Sequence, residues 1–158
     1  MKTFSSIKQL SKNQQNLVSA ALIVLKNAHC PYSNFLVGAA IETNDGKIFV
    51  GTNVETATFS PNIHAEQAAI ASAVAKGHRG FLGIAVIGKH RISKKTQKSS
   101  EGKDVIPVCG DCRQLIAKFA NLSGINTEII MASSDLKNVI VAKVSELLPL
   151  PFGPEIIK

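Results

Sequence analysis

The chain has 158 residues, of which 45% are apolar and 18% charged, and its formal net charge is +7. That length fits one domain with a sizeable core, and no apolar run reaches the roughly 18 to 20 residues of a membrane span. Three cysteines, two of them in a ligand-like pair, argue against a disulfide framework, and the polar stretch Met1 to Leu10 carries no signal-peptide core; both point to the cytoplasm.

Along the chain, Ser11 with Gln14 forms a capping-box pattern that opens a first helix running to about Ala28. Leu17, Val18, Ala21, Leu22 and Leu25 give it an apolar face at helical spacing, and Pro31 ends any helix. Leu36 to Glu42 and Lys47 to Asn53 read as two strands joined at Asp45-Gly46, a strong hairpin signal. The alanine-rich run from Ala65 to Ala75 reads as a helix that stops at Gly77. Phe81 to Gly88 is a short apolar strand. A segment rich in lysine follows, then a helix from about Gly110 to Ala120. Thr127 to Ala132 reads as a strand, Val139 to Val144 offers a fifth, and Ser145 to Leu148 fits one helical turn. This order implies a single α/β domain over residues 1–158, with one mixed five-stranded sheet and helices packed on it. The basic segment, about residues 89–106, reads as an insertion.

Lys89, Arg91, Lys94, Lys95, Lys98 and Lys103 crowd that segment, and the rest of the chain is only slightly basic. The concentrated charge admits an acidic partner, nucleic acid included. No aromatic residue interleaves with it, so the stacking platform of single-strand binders is missing. A solvated loop is the plainer reading.

Residues 64–66 read His-Ala-Glu and residues 109–112 read Cys-Gly-Asp-Cys. One imidazole and two thiolates are three zinc ligands of net charge −2, which a divalent ion neutralises; a tetrahedral ion so held keeps one position for water, the catalytic pattern. Cys109 and Cys112 fall on one side of a first helical turn, where free N–H groups favour thiolates. Glu66, two residues past His64, points elsewhere and suits proton transfer at the water. Gln67 adds no charge, and Arg113 is placed to hydrogen-bond the sulfurs. The competing reading is a closed structural site, its fourth ligand drawn from His29, Cys30, His78 or His90, or three unrelated core residues. None of those four has the usual paired spacing. Cys30 is expected to be a buried thiol.

The H-x-E and C-x-x-C elements together form the known signature of zinc nucleobase deaminases. Nearly the full chain resembles the cytidine deaminases of the small homotetrameric type. The likeness is carried by Pro31-Tyr32-Ser33-Asn34-Phe35-Leu36-Val37-Gly38-Ala39-Ala40, Gly51-Thr52-Asn53-Val54-Glu55, His64-Ala65-Glu66-Gln67, Cys109-Gly110-Asp111-Cys112-Arg113-Gln114, and Glu146-Leu147-Leu148-Pro149 with Phe152-Gly153-Pro154. The resemblance implies a three-layer α/β/α sandwich and one Zn²⁺ per subunit, held by His64, Cys109 and Cys112. It makes Glu66 the catalytic acid–base. It assigns Asn53 and Glu55 to the ribose hydroxyls, Phe35 to the ring or sugar, and the Ala65 N–H to the 2-carbonyl of the base. Phe152 is expected to cover the base in a neighbouring subunit's site.

Four features depart from that family pattern. His64 stands where the short type usually has cysteine, and the neutral Gln67 matches the exchange. Val108, with Pro107 before it, stands where proline directly precedes the first cysteine. The basic segment lengthens the distance from Glu66 to Cys109. Phe59 replaces a common tyrosine. The implied reaction is hydrolytic deamination of cytidine and deoxycytidine in pyrimidine salvage, with a small-molecule nucleoside as the partner and neither membrane nor nucleic acid. The alternatives are a modified cytosine nucleoside or blasticidin-type aminoacylnucleoside, a base within a nucleic acid, or a non-catalytic zinc-binding module.

Overall fold

The computed structural model describes residues 1–91 and 104–153. Lys94, Lys95, Lys98 and Lys103 of the basic segment therefore lie outside the described residues, while Lys89 and Arg91 lie inside. Among the described residues, six strands form one sheet: β1 (Lys2–Phe4), β2 (Phe35–Thr43), β3 (Ile48–Thr52), β4 (Phe81–His90), β5 (Glu128–Ser133) and β6 (Val139–Lys143). Their order across the sheet is β1-β6-β5-β4-β2-β3. Only β4 and β5 run parallel; the other pairs are antiparallel. The expected mixed sheet thus has six strands and not five. The added one, β1, has just three residues and no readable period; it exists by pairing with β6, Lys2 opposite Val141 and Phe4 opposite Val139.

Among the described residues, four α-helices accompany the sheet: α1 (Lys12–Val24), α2 (Ala65–Ala75), α3 (Gly110–Ser123) and the single turn α4 (Val144–Leu147). The Ser11–Gln14 capping box is formed in both directions, Ser11 N–H to Gln14 Oε1 at 2.9 Å and Gln14 N–H to Ser11 Oγ at 3.3 Å. It satisfies donors that a helix start otherwise leaves open. Helix α1 ends four residues short of Ala28, and a 3-10 turn over Leu25–Asn27 completes the helical run.

Strand side chains alternate between faces, and the two faces bury two separate clusters. Ile84, Val86, Ile129 and Met131 face α2 and α3, meeting Ala69, Ile70, Ala73, Ile116 and Ala120. Ala85, Ile87, Ile130 and Ala132 face α1, meeting Leu17, Val18, Ala21 and Leu25. The layering is helix, sheet, helix. Burying one such leucine or isoleucine contributes about 1.5–3 kcal/mol, so each face holds its helix by several large side chains.

The layer that positions the site is α2 on β3. A Cβ at Gly51 would lie 2.3 Å from the Ala69 nitrogen and 2.4 Å from the Ala65 oxygen. Only glycine lets that helix backbone settle so close to the strand. Gly77, at φ +91°, takes the left-handed conformation that stops the same helix.

Candidate active site

A cleft opens at the start of β2 and the end of β3, lined by Phe35, Val37 and Asn53. Two helix starts meet beside it. His64 caps α2 with extended backbone, φ −80° and ψ 153°, and Cys109 caps α3 likewise, φ −69° and ψ 167°. Cys112 sits in the first turn of α3 and is buried, while Cys109 is exposed. His64 Nδ1 lies 3.3 Å from the Cys112 sulfur and 3.3 Å from the Cys109 sulfur.

This geometry fits a zinc ion. Bond lengths near 2.1 Å to nitrogen and 2.3 Å to sulfur place tetrahedral ligands about 3.6 Å apart, close to the spacing found. Among the described residues, these three form a metal-ligating group with all donor atoms within 4.8 Å, and no fourth His, Cys, Asp or Glu joins it. The expected ligands converge, and the alternative fourth ligands stay away. His29 is engaged through its backbone with Asn53 and Glu55. His78 pairs with Asp45 at 3.3 Å, and His90 packs edge-on against Phe35 with ring centroids 4.8 Å apart. Cys30 is buried at 1% exposure, as expected. Burial pushes the Cys112 thiol far up, and the nearby Glu66 carboxylate and Cys109 sulfur push it further. A divalent cation reverses that balance and draws both sulfurs into the thiolate form.

Glu66 is 5% exposed. Burial raises its pKa, moderated by its own backbone N–H, by His64 and by the Cys112 thiol. A carboxyl so placed takes a proton more readily than one in water. Gln67 Oε1 accepts from the His64 backbone N–H at 2.9 Å and fixes the start of α2. Arg113 does not take the sulfur-facing place expected of it. Its Nε donates to the Val108 carbonyl at 2.7 Å and its Nη1 to the Leu147 carbonyl at 3.3 Å, so it ties the cysteine loop to α4.

A cleft of about 310 Å³ opens at these groups, and Phe35, Asn53, Glu55, Ala65, Glu66 and Cys109 all line it. Asn53 continues the sheet beyond β3: its Oδ1 accepts from the Val37 N–H at 2.8 Å and its Nδ2 donates to the Phe35 carbonyl at 2.9 Å. Each amide atom keeps capacity for one more hydrogen bond. Glu55 Oε2 accepts from the Tyr32 and Ser33 N–H groups at 3.0 and 3.1 Å, and Oε1 accepts from the Ser33 hydroxyl. The Ser33 hydroxyl is the main cause that holds the Glu55 carboxyl below its usual range, backbone donors adding to it. Ala65 is fully buried at the first helical position, and its N–H belongs to the turn whose donors have no intrahelical acceptor.

Phe152 does not line its own chain's cleft. Its backbone is clamped by Gln114, N–H to Oε1 at 3.0 Å and carbonyl from Nε2 at 2.7 Å, while the ring is 60% exposed. Phe59 lies away from the cleft lining too; it is exposed, at φ +59°, with its ring 5.5 Å from that of Tyr32. Val108 turns its side chain into the core at 0% exposure, leaving Pro107 on the cleft. Ser33, Asn62 and Ile106 also line the cleft. Of these, Ser33 could have been found from its place two residues before Phe35. Asn62 and Ile106 carry no local signal, because loop closure alone brings them in.

Comparison with known proteins agrees with this geometry. The family model described as "Cytidine and deoxycytidylate deaminase zinc-binding region" matches residues 1–88. It takes in His64 and Glu66 and stops before the two cysteines. A probable cytidine deaminase of Dictyostelium discoideum is 35% identical over 147 residues, covering 90% of this chain and 88% of that protein. A cytidine deaminase of Halalkalibacterium halodurans is 32% identical over 145 residues, covering 90% and 96%. The crystal structure of cytidine deaminase from Burkholderia pseudomallei superposes with a TM-score of 0.72 at 37% identity, covering 87% of this chain and 97% of that one. Zinc is the metal named for the family, and the His64, Cys109 and Cys112 donor set fits it. A three-ligand zinc site at two converging helix starts, a buried glutamate beside it and relatives that span nearly the whole chain place this protein in the cytidine and deoxycytidylate deaminase zinc-binding family.

Proposed function

We propose that the protein is a zinc-dependent cytidine deaminase that converts cytidine and deoxycytidine to the uridines and releases ammonia. The observation that carries this reading is the buried Glu66 carboxyl beside a metal site with only three protein ligands, both opening on a nucleoside-sized cleft. Bound zinc supplies Lewis-acid activation of a water near neutral pH. Glu66 accepts the water's proton and delivers it to N3 as oxygen adds at C4. It then takes the proton of the hydroxyl newly added at C4 and passes it to the amino group, which leaves as ammonia as the C4–N bond breaks and the 4-carbonyl forms. Burial suits it to this relay, since a raised pKa lets the carboxyl hold the proton more readily between taking it and giving it.

The other cleft residues hold the nucleoside. The Ala65 N–H meets the 2-carbonyl, Phe35 packs on the ring, Asn53 donates and accepts at the sugar hydroxyls, and the Glu55 carboxylate accepts from them. An acceptor covered by the bound sugar and left without its hydroxyl is costly, so this end discriminates by sugar. A gripped 3′-hydroxyl also disfavours a base inside a polymer. The exposed Phe152 ring, pinned at its backbone, supports a role across a subunit boundary, and we assign the protein to a homotetramer on that basis. Its place is pyrimidine salvage, in a reducing cytoplasm that suits three unpaired thiols. No described helix is long and apolar enough to cross a membrane.

Ultraviolet monitoring of purified, zinc-loaded protein tests the reading. Loss of cytidine absorbance with one ammonia released per uridine formed is expected. Inert behaviour toward both nucleosides, with zinc bound, would overturn it, as would preferred turnover of cytosine within oligonucleotides.

A further inference from the structure

Gly88 stands in the interior of β4, at an extended position with no positive φ and no turn to explain it. Glycine inside a strand weakens the strand, so its presence calls for something that occupies the missing side chain's space. That space is filled. A Cβ at Gly88 would lie 2.5 Å from Ile106 Cδ1, 2.9 Å from Phe35 Cε1 and 3.1 Å from Phe35 Cζ. Both side chains line the cleft, and Gly88 does not. The sheet register explains the meeting. Gly88 pairs with Val37 and His90 pairs with Phe35, so Phe35, Val37 and Gly88 share one face. Ile106 arrives from the segment that leads directly into Cys109.

We infer that Gly88 is a specificity-determining position: the socket it leaves seats Ile106 and Phe35 against the sheet and thereby sets the width of the cleft at the edge of the pyrimidine ring. The inference rests on the deaminase reading, which orients the ring. With the 4-amino group at the metal, N3 at Glu66 and the 2-carbonyl at Ala65, the C5–C6 edge is the one left for an apolar wall. Phe35, Val37 and Ile106 supply that wall. The sheet lies beneath them and His90 flanks Phe35, so a group placed in the socket drives both side chains outward, into the cleft. A C5 substituent on the base then competes for the same room.

The test compares cytidine with 5-methylcytidine. In Gly88→Ala, the ratio of kcat/KM for cytidine over 5-methylcytidine is expected to rise about tenfold, the scale of one methyl group in a tight pocket. Ile106→Val removes the single atom nearest the new Cβ. The double variant Gly88→Ala/Ile106→Val is therefore expected to return the ratio toward the wild-type value, and Ile106→Val alone to lower it. Dissociation constants of the products, uridine against 5-methyluridine, are expected to follow the same order. Equal losses for both nucleosides in Gly88→Ala, or a ratio that Ile106→Val leaves unchanged in either background, would overturn the inference. Should Gly88→Ala not fold, Ile106→Val alone decides it. A wild-type protein inert toward both nucleosides would count against the deaminase reading, while the product-binding order would still decide the role of Gly88.

Discussion

Glu66 and Glu55 are both carboxylates of one cleft, and their surroundings push them in opposite directions. Burial raises Glu66, in keeping with the proton-carrying role proposed for it. The Ser33 hydroxyl and two backbone donors lower Glu55, which keeps it a charged acceptor. The sign for Glu55 follows from its depressed value. Its docking of the Tyr32–Ser33 turn contributes stability above the ordinary glutamate pKa of about 4.3, and that contribution is lost as pH falls through the lower folded value. Ser33→Ala is expected to move the Glu55 titration upward, toward the usual range, as followed by carboxyl carbon NMR. An unmoved titration would show that the two backbone donors suffice. Legibility at this scale was uneven. The metal ligands and Glu66 could be named because their chemistry demands fixed residue types at fixed spacing. Arg113 went to carbonyls because which way a guanidinium turns depends on neighbours, here Val108 and Leu147, that sequence does not bring together.

Elements were readable wherever a local signal began or ended them. Ser11 and Gln14 opened α1, Asp45-Gly46 joined β2 to β3, and Gly77 closed α2. Strand β1 was not readable, since three residues hold no period and only β6 makes them a strand. Two elements carry predictions. Ser11→Ala removes one side of the capping box and is expected to cost about 1 kcal/mol, a fall in Tm of roughly 2–4 °C for a chain of this size. Gly51→Ala puts a methyl group against helix backbone that cannot yield as a side chain end does. It is expected to cost about 1–3 kcal/mol and to weaken zinc binding, because lifting α2 moves His64. Differential scanning calorimetry with metal analysis reads both effects. Full zinc affinity in Gly51→Ala would separate the α2–β3 contact from the site.

At the scale of the whole molecule, the metal site ties distant parts of the chain together. Zinc joins α2 to α3 through His64, Cys109 and Cys112, so a strong chelator is expected to lower Tm as well as abolish turnover. The tail is held by Gln114 with the Phe152 ring outward. If that ring completes a neighbour's site, co-expression of Phe152→Ala with Glu66→Gln restores part of the activity that each loses alone, because some sites then combine an intact Glu66 with a partner's intact ring. No recovery in mixed oligomers would confine Phe152 to its own subunit.

The proposed mechanism makes turnover depend on the charge of the acid beside the metal site, and one variant isolates it. Glu66→Gln keeps the shape of the side chain and all three zinc ligands. Metal analysis and cytidine turnover on the same preparation should give one zinc per chain and a rate reduced at least 10²- to 10⁴-fold, the usual worth of a positioned acid–base. A zinc-replete Glu66→Gln protein that deaminates cytidine at the wild-type rate would contradict the mechanism.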